Sequence, residues 1–167
     1  AYAPVVAGLL AAVVLLARPV RSYLTRLLAR PSKAGFLAML LPAALLIRLA
    51  WIPYFPAEPA QDPGYYHTNA VRLLQGQPYG DEGRRAHYPP GESLLLVAVY
   101  SLTGPNALAG QVASCLLGVL LVFLVYAAAR LALDEPVARW SAVLAAAMPT
   151  LWFASVSLGY ETLLACL

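Results

Sequence analysis

The stretch "NALAGQVASCLLGVLLVFLVYAAARL", residues 106–131, decides the fold of this chain, because its 26 residues include a single charged side chain, Arg130. A helix of this length is long enough to cross a hydrocarbon core of about 30 Å with some tilt. The composition agrees: 61% of the 167 residues are hydrophobic and 11% are charged, whereas soluble domains are about 25% charged. The sequence therefore predicts an all-α integral membrane protein, a polytopic bundle of transmembrane helices.

Four further apolar segments are candidates for complete or partial spans: residues 2–17, 34–53, 137–156 and the run that begins at residue 162. Another apolar segment, residues 93–102, is too short to cross the membrane, because ten helical residues reach roughly 15 Å. We therefore expect residues 93–102 to form an interfacial or re-entrant helix that stays on one side of the membrane. This interpretation fixes the topology of every segment that follows.

The distribution of charge predicts the orientation. Five basic residues and no acidic residue lie between the first two spans: Arg18, Arg21, Arg26, Arg30 and Lys33. Lysine and arginine concentrate in cytoplasmic loops, although this spacing also suits an amphipathic helix at the interface. Residues 54–92 contain five acids and three arginines, which favours the outer face. We thus divide the chain into an extra N-terminal segment with a basic cytoplasmic loop, residues 1–33, and a main membrane domain, residues 34–167, with an outer loop over 54–105.

The outer loop contains an amphipathic helix, predicted over residues 63–75, that can lie along the membrane surface. Asp62 before Pro63 is typical of an N-cap followed by proline at the first helical position, and Gly76 is typical of a helix end. Helical spacing predicts one packed face and one polar face. The packed face contains Tyr66, Ala70, Leu73 and Leu74, and the polar face contains His67, Asn69 and Arg72.

Each polar residue of this loop has an ordinary interpretation. Asp62 can be a helix cap and nothing more, and His67, Arg84 and Arg85 can be solvated surface residues. The four tyrosines of the loop can belong to the usual interfacial aromatic belt: Tyr65, Tyr66, Tyr79 and Tyr88. Their concentration on one predicted face of the membrane is the feature that needs a cause, since a loop of this length is usually functional or disordered.

Three stretches together resemble the GT-C superfamily of integral membrane glycosyltransferases: "RLAWIPYFPAEPAQDPGYYHTNAVRLLQGQPY" at 48–79, "YPPGESLLLVAVYSLTG" at 88–104 and "AVLAAAMPTLWFASVSLGYETLLA" at 142–165. The branch that they resemble contains dolichyl-phosphate-mannose protein mannosyltransferases and the bacterial aminoarabinose transferase. In that branch an arginine ends the first span, an acidic residue opens the outer loop, and an outer-face "E-T-L" follows a later proline. On this resemblance the chain corresponds to an N-terminal fragment, about a third of such an enzyme, with an extra segment in front.

The resemblance implies transfer of a sugar from a polyprenyl-phosphate-linked donor to an acceptor hydroxyl on the extracytoplasmic face, in a prokaryotic plasma membrane. Asp62 is then the general base and Glu161 a second acid that orients the acceptor. Substrate-binding residues are expected among Tyr66, His67, Arg72, Arg84, Arg85 and Tyr88. The acceptor is a protein, a lipid or a glycan, and no nucleic acid is expected. No metal site is assigned, but a divalent cation stays open, with Asp62, His67 and Glu161 as its candidate ligands.

A transporter and a non-catalytic membrane scaffold are the alternatives. The spans hold few polar groups, with Arg48 as the main exception. They also lack the pair of broken helices in matching positions that is typical of transporters with inverted repeats. A scaffold would use Asp62 and Glu161 only as caps and surface charges. The fragment by itself is expected to be inactive.

Overall fold

The computed structural model describes residues 22, 26, 31–54, 61–80, 88–158 and 160–167. It contains seven helices within these residues: α1 (Lys33–Trp51, continued by the 3-10 turn Ile52–Tyr54), α2 (Gln61–Leu74), α3 (Gly91–Thr103), α4 (Ala107–Ala132), α5 (Glu135–Ala147), α6 (Pro149–Val156) and α7 (Tyr160–Cys166). No strand occurs in the same residues, and the predicted all-α class is confirmed. The predicted segment 2–17, most of the basic loop, Arg84 and Arg85 lie outside the described residues, and the division at residue 33 stays a prediction.

Two helices, α1 with its 3-10 extension and α4, are long and apolar enough to cross a membrane, and α5 with α6 can form a third span that is bent by 55°. The apolar segment predicted over residues 137–156 therefore consists of two helices that meet at a break. Pro149 explains the break, because proline lacks an N–H and its ring collides with the preceding turn. Met148 before it is extended, with φ −74° and ψ 115°, as expected before proline. The indole N–H of Trp152 donates to the Ala146 carbonyl over 2.6 Å and satisfies an acceptor near the break.

Helix α3 is the short apolar helix that the sequence predicts. Gly104, with φ +75°, ends it, and Asn106 caps α4 by accepting a hydrogen bond from the Leu108 N–H over 2.9 Å. The two helices then pack closely at Gly110, where a Cβ atom would lie 2.8 Å from Leu96 Cδ2. The turn at 104–106 thus returns the chain beside α3 instead of continuing it into a full span.

Two apolar clusters form the interior. The first joins α1, α4 and α5 through buried residues that include four alanines of α5: Phe36, Ala44, Val122, Tyr126, Ala138, Ala142, Ala145 and Ala146. Small residues at a helix interface let the backbones approach closely in a membrane protein. The second cluster joins α2, α3 and the turn after α6: Tyr66, Ala70, Leu96, Tyr100 and Leu158. The outer-loop helices therefore have their own core next to the spans.

The ion pairs found among the described residues lie at one end of the bundle. Glu135 at the start of α5 forms ion pairs with Arg130 at 2.9 Å, Arg139 at 2.7 Å and Lys33 at 4.0 Å. Arg139 also donates to the Pro31 carbonyl over 2.9 Å. These contacts join the start of α1 to the α4–α5 turn, whereas α2 and the first turns of α3 and α7 lie at the other end. The lysine and arginine bias predicts that the Glu135 end is cytoplasmic.

Candidate active site

Asp62 lies in the first turn of α2, which begins at Gln61 and ends at Leu74. The prediction that Asp62 caps a helix over 63–75 is therefore wrong: the helix begins earlier, and Pro63 is accommodated in its first turn, where the missing N–H costs nothing. The exposed carboxylate accepts a hydrogen bond on Oδ1 from the Tyr88 hydroxyl over 2.7 Å. This hydrogen bond is the main cause that raises the pKa of Tyr88, since a phenolate beside a carboxylate is unfavourable.

A tyrosine cluster, defined here as Tyr65, Tyr66, Tyr79, Tyr88 and Tyr160, surrounds this hydrogen bond. Ring centroids lie 5.2 Å apart for Tyr65–Tyr88, 5.7 Å for Tyr66–Tyr88 and 6.2 Å for Tyr66–Tyr160. The Tyr79 hydroxyl donates to the Tyr88 carbonyl over 3.1 Å. The rings thus pack on one another and join α2 to the segment before α3 and to α7, instead of standing separately as belt residues.

Glu161 lies in the first turn of α7 and is exposed. Burial raises the pKa of the Tyr66 hydroxyl, and the nearby Tyr79, Tyr160, Glu161 and Asp62 raise it further. Both carboxylates are therefore close enough to act on the same buried tyrosine. Helices α2 and α7, which are far apart in sequence, bring Asp62 and Glu161 to the same end of the bundle.

The polar face of α2 is less exposed than its spacing predicts. Asn69 is 1% exposed, because its side chain donates to the Tyr65 carbonyl over 2.9 Å and accepts from the Gly80 N–H over 2.8 Å. Tyr66 and Ala70 are fully buried as predicted, whereas Leu74 is 37% exposed. The assignment of Asn69 to an exposed polar face is wrong, because the returning 77–80 segment covers this residue. The assignment of Leu74 to the packed face is also wrong.

His67 is not a solvated surface residue. Its Nδ1 atom lies 2.8 Å from the Tyr100 hydroxyl, and burial lowers the pKa of His67 below 6.5, which favours the neutral ring at neutral pH. No group of three His, Cys, Asp or Glu side chains that could hold a metal ion occurs in the part of the chain that the structure describes. Asp62, His67 and Glu161 therefore do not form such a group in this structure. Arg72 is half-buried, and its Nε has no hydrogen-bond partner among the described residues.

Glu92 is a buried acid, although the sequence pattern indicates only one of the five acids of the outer loop. It lies in the first turn of α3 and is 1% exposed. Its Oε1 accepts a 3.4 Å hydrogen bond from the Ser114 hydroxyl of α4, and burial raises the pKa of Glu92 from 4.5 to about 7. The available signal was its position directly before an apolar run, where a carboxylate is costly.

Arg48 in the last turn of α1 is fully buried. Its Nη1 donates to the Ala44 carbonyl over 2.9 Å, and its Nε donates to the Ser155 hydroxyl of α6 over 3.3 Å. The ion pairs found among the described residues all involve Glu135, so no described acid neutralises Arg48. The residue that the sequence marks as a polar exception thus joins α1 to the helix after the proline break.

The apolar spans and the bundle architecture define an integral membrane protein with an all-α fold. Residues 87–167, just under half of the chain, match the family model for dolichyl-phosphate-mannose-protein mannosyltransferases. This match supports the resemblance to GT-C glycosyltransferases. It includes Tyr88, Glu92 and Glu161, whereas Asp62 precedes it. No curated protein and no solved structure matches the chain.

Proposed function

We propose that this protein transfers a sugar from a polyprenyl-phosphate-linked donor to an acceptor hydroxyl on the extracytoplasmic face of the membrane. The observation that carries the proposal is the contact of two segments at Tyr66: its ring lies 5.7 Å from Tyr88, which binds Asp62, and 6.2 Å from Tyr160, the neighbour of Glu161 at the start of α7. The family match supports glycosyl transfer. A membrane-embedded enzyme is suited to a donor whose tail lies in the bilayer and whose sugar phosphate is in water.

Asp62 is the proposed general base. Its Oδ1 is held by the Tyr88 hydroxyl, which leaves Oδ2 of this exposed carboxylate to accept the proton of the acceptor hydroxyl. The acceptor oxygen forms its bond to the anomeric carbon while the bond from that carbon to the phosphate oxygen breaks. The lipid phosphate leaves with the bonding electrons, and the proton stays on Asp62. Glu161 is the proposed acid that orients the acceptor from α7.

The leaving phosphate needs positive charge and hydrogen-bond donors, which arginine supplies in bidentate form. We assign this role to Arg72, a half-buried residue in the last turn of α2, together with Arg84 and Arg85. Tyr66 is fully buried, and His67 contacts Tyr100. We therefore propose that Tyr66 and His67 support the site through their packing and do not contact the substrate directly.

The proposal is tested with the full-length protein in native membranes that retain their acceptors. Polyprenyl-phosphate donors with a radiolabelled sugar, mannose first, are added from the extracytoplasmic side. We expect the label to move from the lipid extract to an acceptor fraction in proportion to the protein. Intact donors across a panel of hexoses and pentoses, with protein present and folded, would contradict the proposed function.

Removing the Tyr88 hydroxyl is expected to slow sugar transfer about tenfold, because Tyr88→Phe deletes the donor that orients the Asp62 carboxylate and hydrogen bonds to charged groups are the stronger ones. The ring contacts with Tyr65 and Tyr66 do not involve the hydroxyl, so the cluster stays packed. The measurement is the initial rate of transfer. Tyr54→Phe, at a tyrosine that is 79% exposed, is the matched control and should retain the full rate. Equal rates for the two variants would contradict the orienting role.

A further inference from the structure

Glu92 is buried, and no cation pairs with it among the described residues. Its Oε2 has no hydrogen-bond partner among the described residues, and the ion pairs of that part of the chain do not include it. The charged form of a buried carboxyl is unfavourable unless it is paired. The surroundings of Glu92 therefore favour the neutral acid.

The first turn of α3 connects to both proposed catalytic helices. Ser93, next to Glu92, donates from its hydroxyl to the Tyr66 carbonyl of α2 over 3.1 Å. On the other side, a Cβ atom at Gly91 would lie 3.4 Å from Leu163 Cδ2 of α7. Glu161 is also close enough to act electrostatically on Glu92. A movement of this turn would therefore displace the helices that hold Asp62 and Glu161.

Two more buried polar atoms lie on α2 and α7, the helices that contact the first turn of α3. The Tyr66 hydroxyl oxygen and the Thr162 Oγ1 have no hydrogen-bond partner among the described residues, and their residues are 0% and 3% exposed. Among the described residues, the groups that face Glu92 are Ser114 on α4, Glu161 on α7 and Tyr100 on its own helix. None of these described groups is a cation, so within the described part of the chain a negative charge on Glu92 would face Glu161 without compensation.

We propose that Glu92 is a positioning residue of the transferase site, which in its protonated form holds the first turn of α3 against α4 and α7 and so keeps Asp62 and Glu161 in place. The inference rests on the proposed function. Glu92 acts through the packing of these helices and does not contact substrate. Deprotonation loosens the turn, because the third carboxylate repels Glu161 and is itself poorly solvated.

The pH dependence of transfer tests this role. The pKa of Glu92 is about 7, so the neutral form dominates below pH 7 and is lost above it. We expect the wild-type rate to fall above pH 7, about tenfold by pH 8. Glu92→Gln is neutral at every pH and keeps an oxygen for Ser114, so it should match the wild-type rate at pH 6 and show no alkaline fall. Ser114→Ala removes a hydrogen bond that favours the charged form and should shift the fall to higher pH.

An alkaline fall that persists unchanged in Glu92→Gln would overturn the inference, as would a Glu92→Gln variant that is inactive at pH 6 although folded. The thermal unfolding midpoint in detergent separates these results from a failure of the proposed function. Because the native pKa exceeds the ordinary value of 4.5, protonated Glu92 stabilises the native state at low pH, and this stability is lost as pH rises toward 7. The wild-type midpoint should decline over that range relative to Glu92→Gln, even if no sugar is transferred, and parallel curves would overturn the inference.

Discussion

Replacing Asp62 with asparagine is expected to lower the rate of the proposed sugar transfer by about 10²–10⁴-fold, the range typical for loss of a general base. The amide has nearly the same size as the carboxylate, and its oxygen can still accept the 2.7 Å hydrogen bond from Tyr88. It cannot take the proton of the acceptor hydroxyl. We therefore expect the turnover number to fall with little change in the KM for the donor lipid, as measured by initial rates in membranes with equal amounts of protein.

Asp134→Asn is the matched control for this experiment. Asp134 is an exposed aspartate at the opposite end of the bundle, where its Oδ1 accepts a 3.1 Å hydrogen bond from the Val137 N–H and caps α5. Asparagine and aspartate cap helices about equally well, so this variant should transfer sugar at the wild-type rate. A near wild-type rate for Asp62→Asn would refute the base assignment, and scaffold or transport functions would then regain weight.

The membrane helices could be predicted from the sequence, because a bilayer imposes a minimum length and leaves no partner for unsatisfied backbone groups. The run over 106–131 corresponds to α4, Ala107–Ala132, and the short run over 93–102 to α3. The break at Pro149 was not predicted, because hydropathy reports the length of an apolar run and not its straightness. Proline also occurs inside α1, at Pro42, without dividing that helix, so the residue type alone does not decide the outcome.

The candidate site was predicted only in part. Counting spans is enough to bring Asp62 and Glu161 to one end, because each crossing reverses the side. The burial of Glu92 follows instead from contacts with Ser114 and α7, which are distant in sequence. In the same way, the cover over Asn69 comes from Gly80. Periodicity identifies the two faces of an isolated helix, but it cannot tell which of them a later segment covers.

Gly118→Ala is expected to destabilise the bundle by about 3 kcal/mol, through overpacking and the loss of a buried hydrogen bond. A Cβ atom at this position of α4 would overlap the Ser155 hydroxyl of α6 and lie 2.7 Å from Arg48 Nε of α1. Neither neighbour can withdraw easily, since Ser155 also donates to the Leu151 carbonyl over 2.7 Å and Arg48 is held by the Ala44 carbonyl over 2.9 Å. The measurement is the thermal unfolding midpoint in detergent, which should fall well below the wild-type value.

Gly91→Ala is the matched control for the added methyl group. Its Cβ would lie 3.4 Å from Leu163 Cδ2, an ordinary contact, so the midpoint should stay near the wild-type value. Combining Gly118→Ala with Ser155→Gly removes one of the two collisions, and we expect it to recover part of the loss, because contacting sites are not additive. Equal unfolding midpoints for Gly118→Ala and Gly91→Ala would contradict this prediction. The close packing of Gly118 against Arg48 and Ser155 would then not be needed to hold α1, α4 and α6 together.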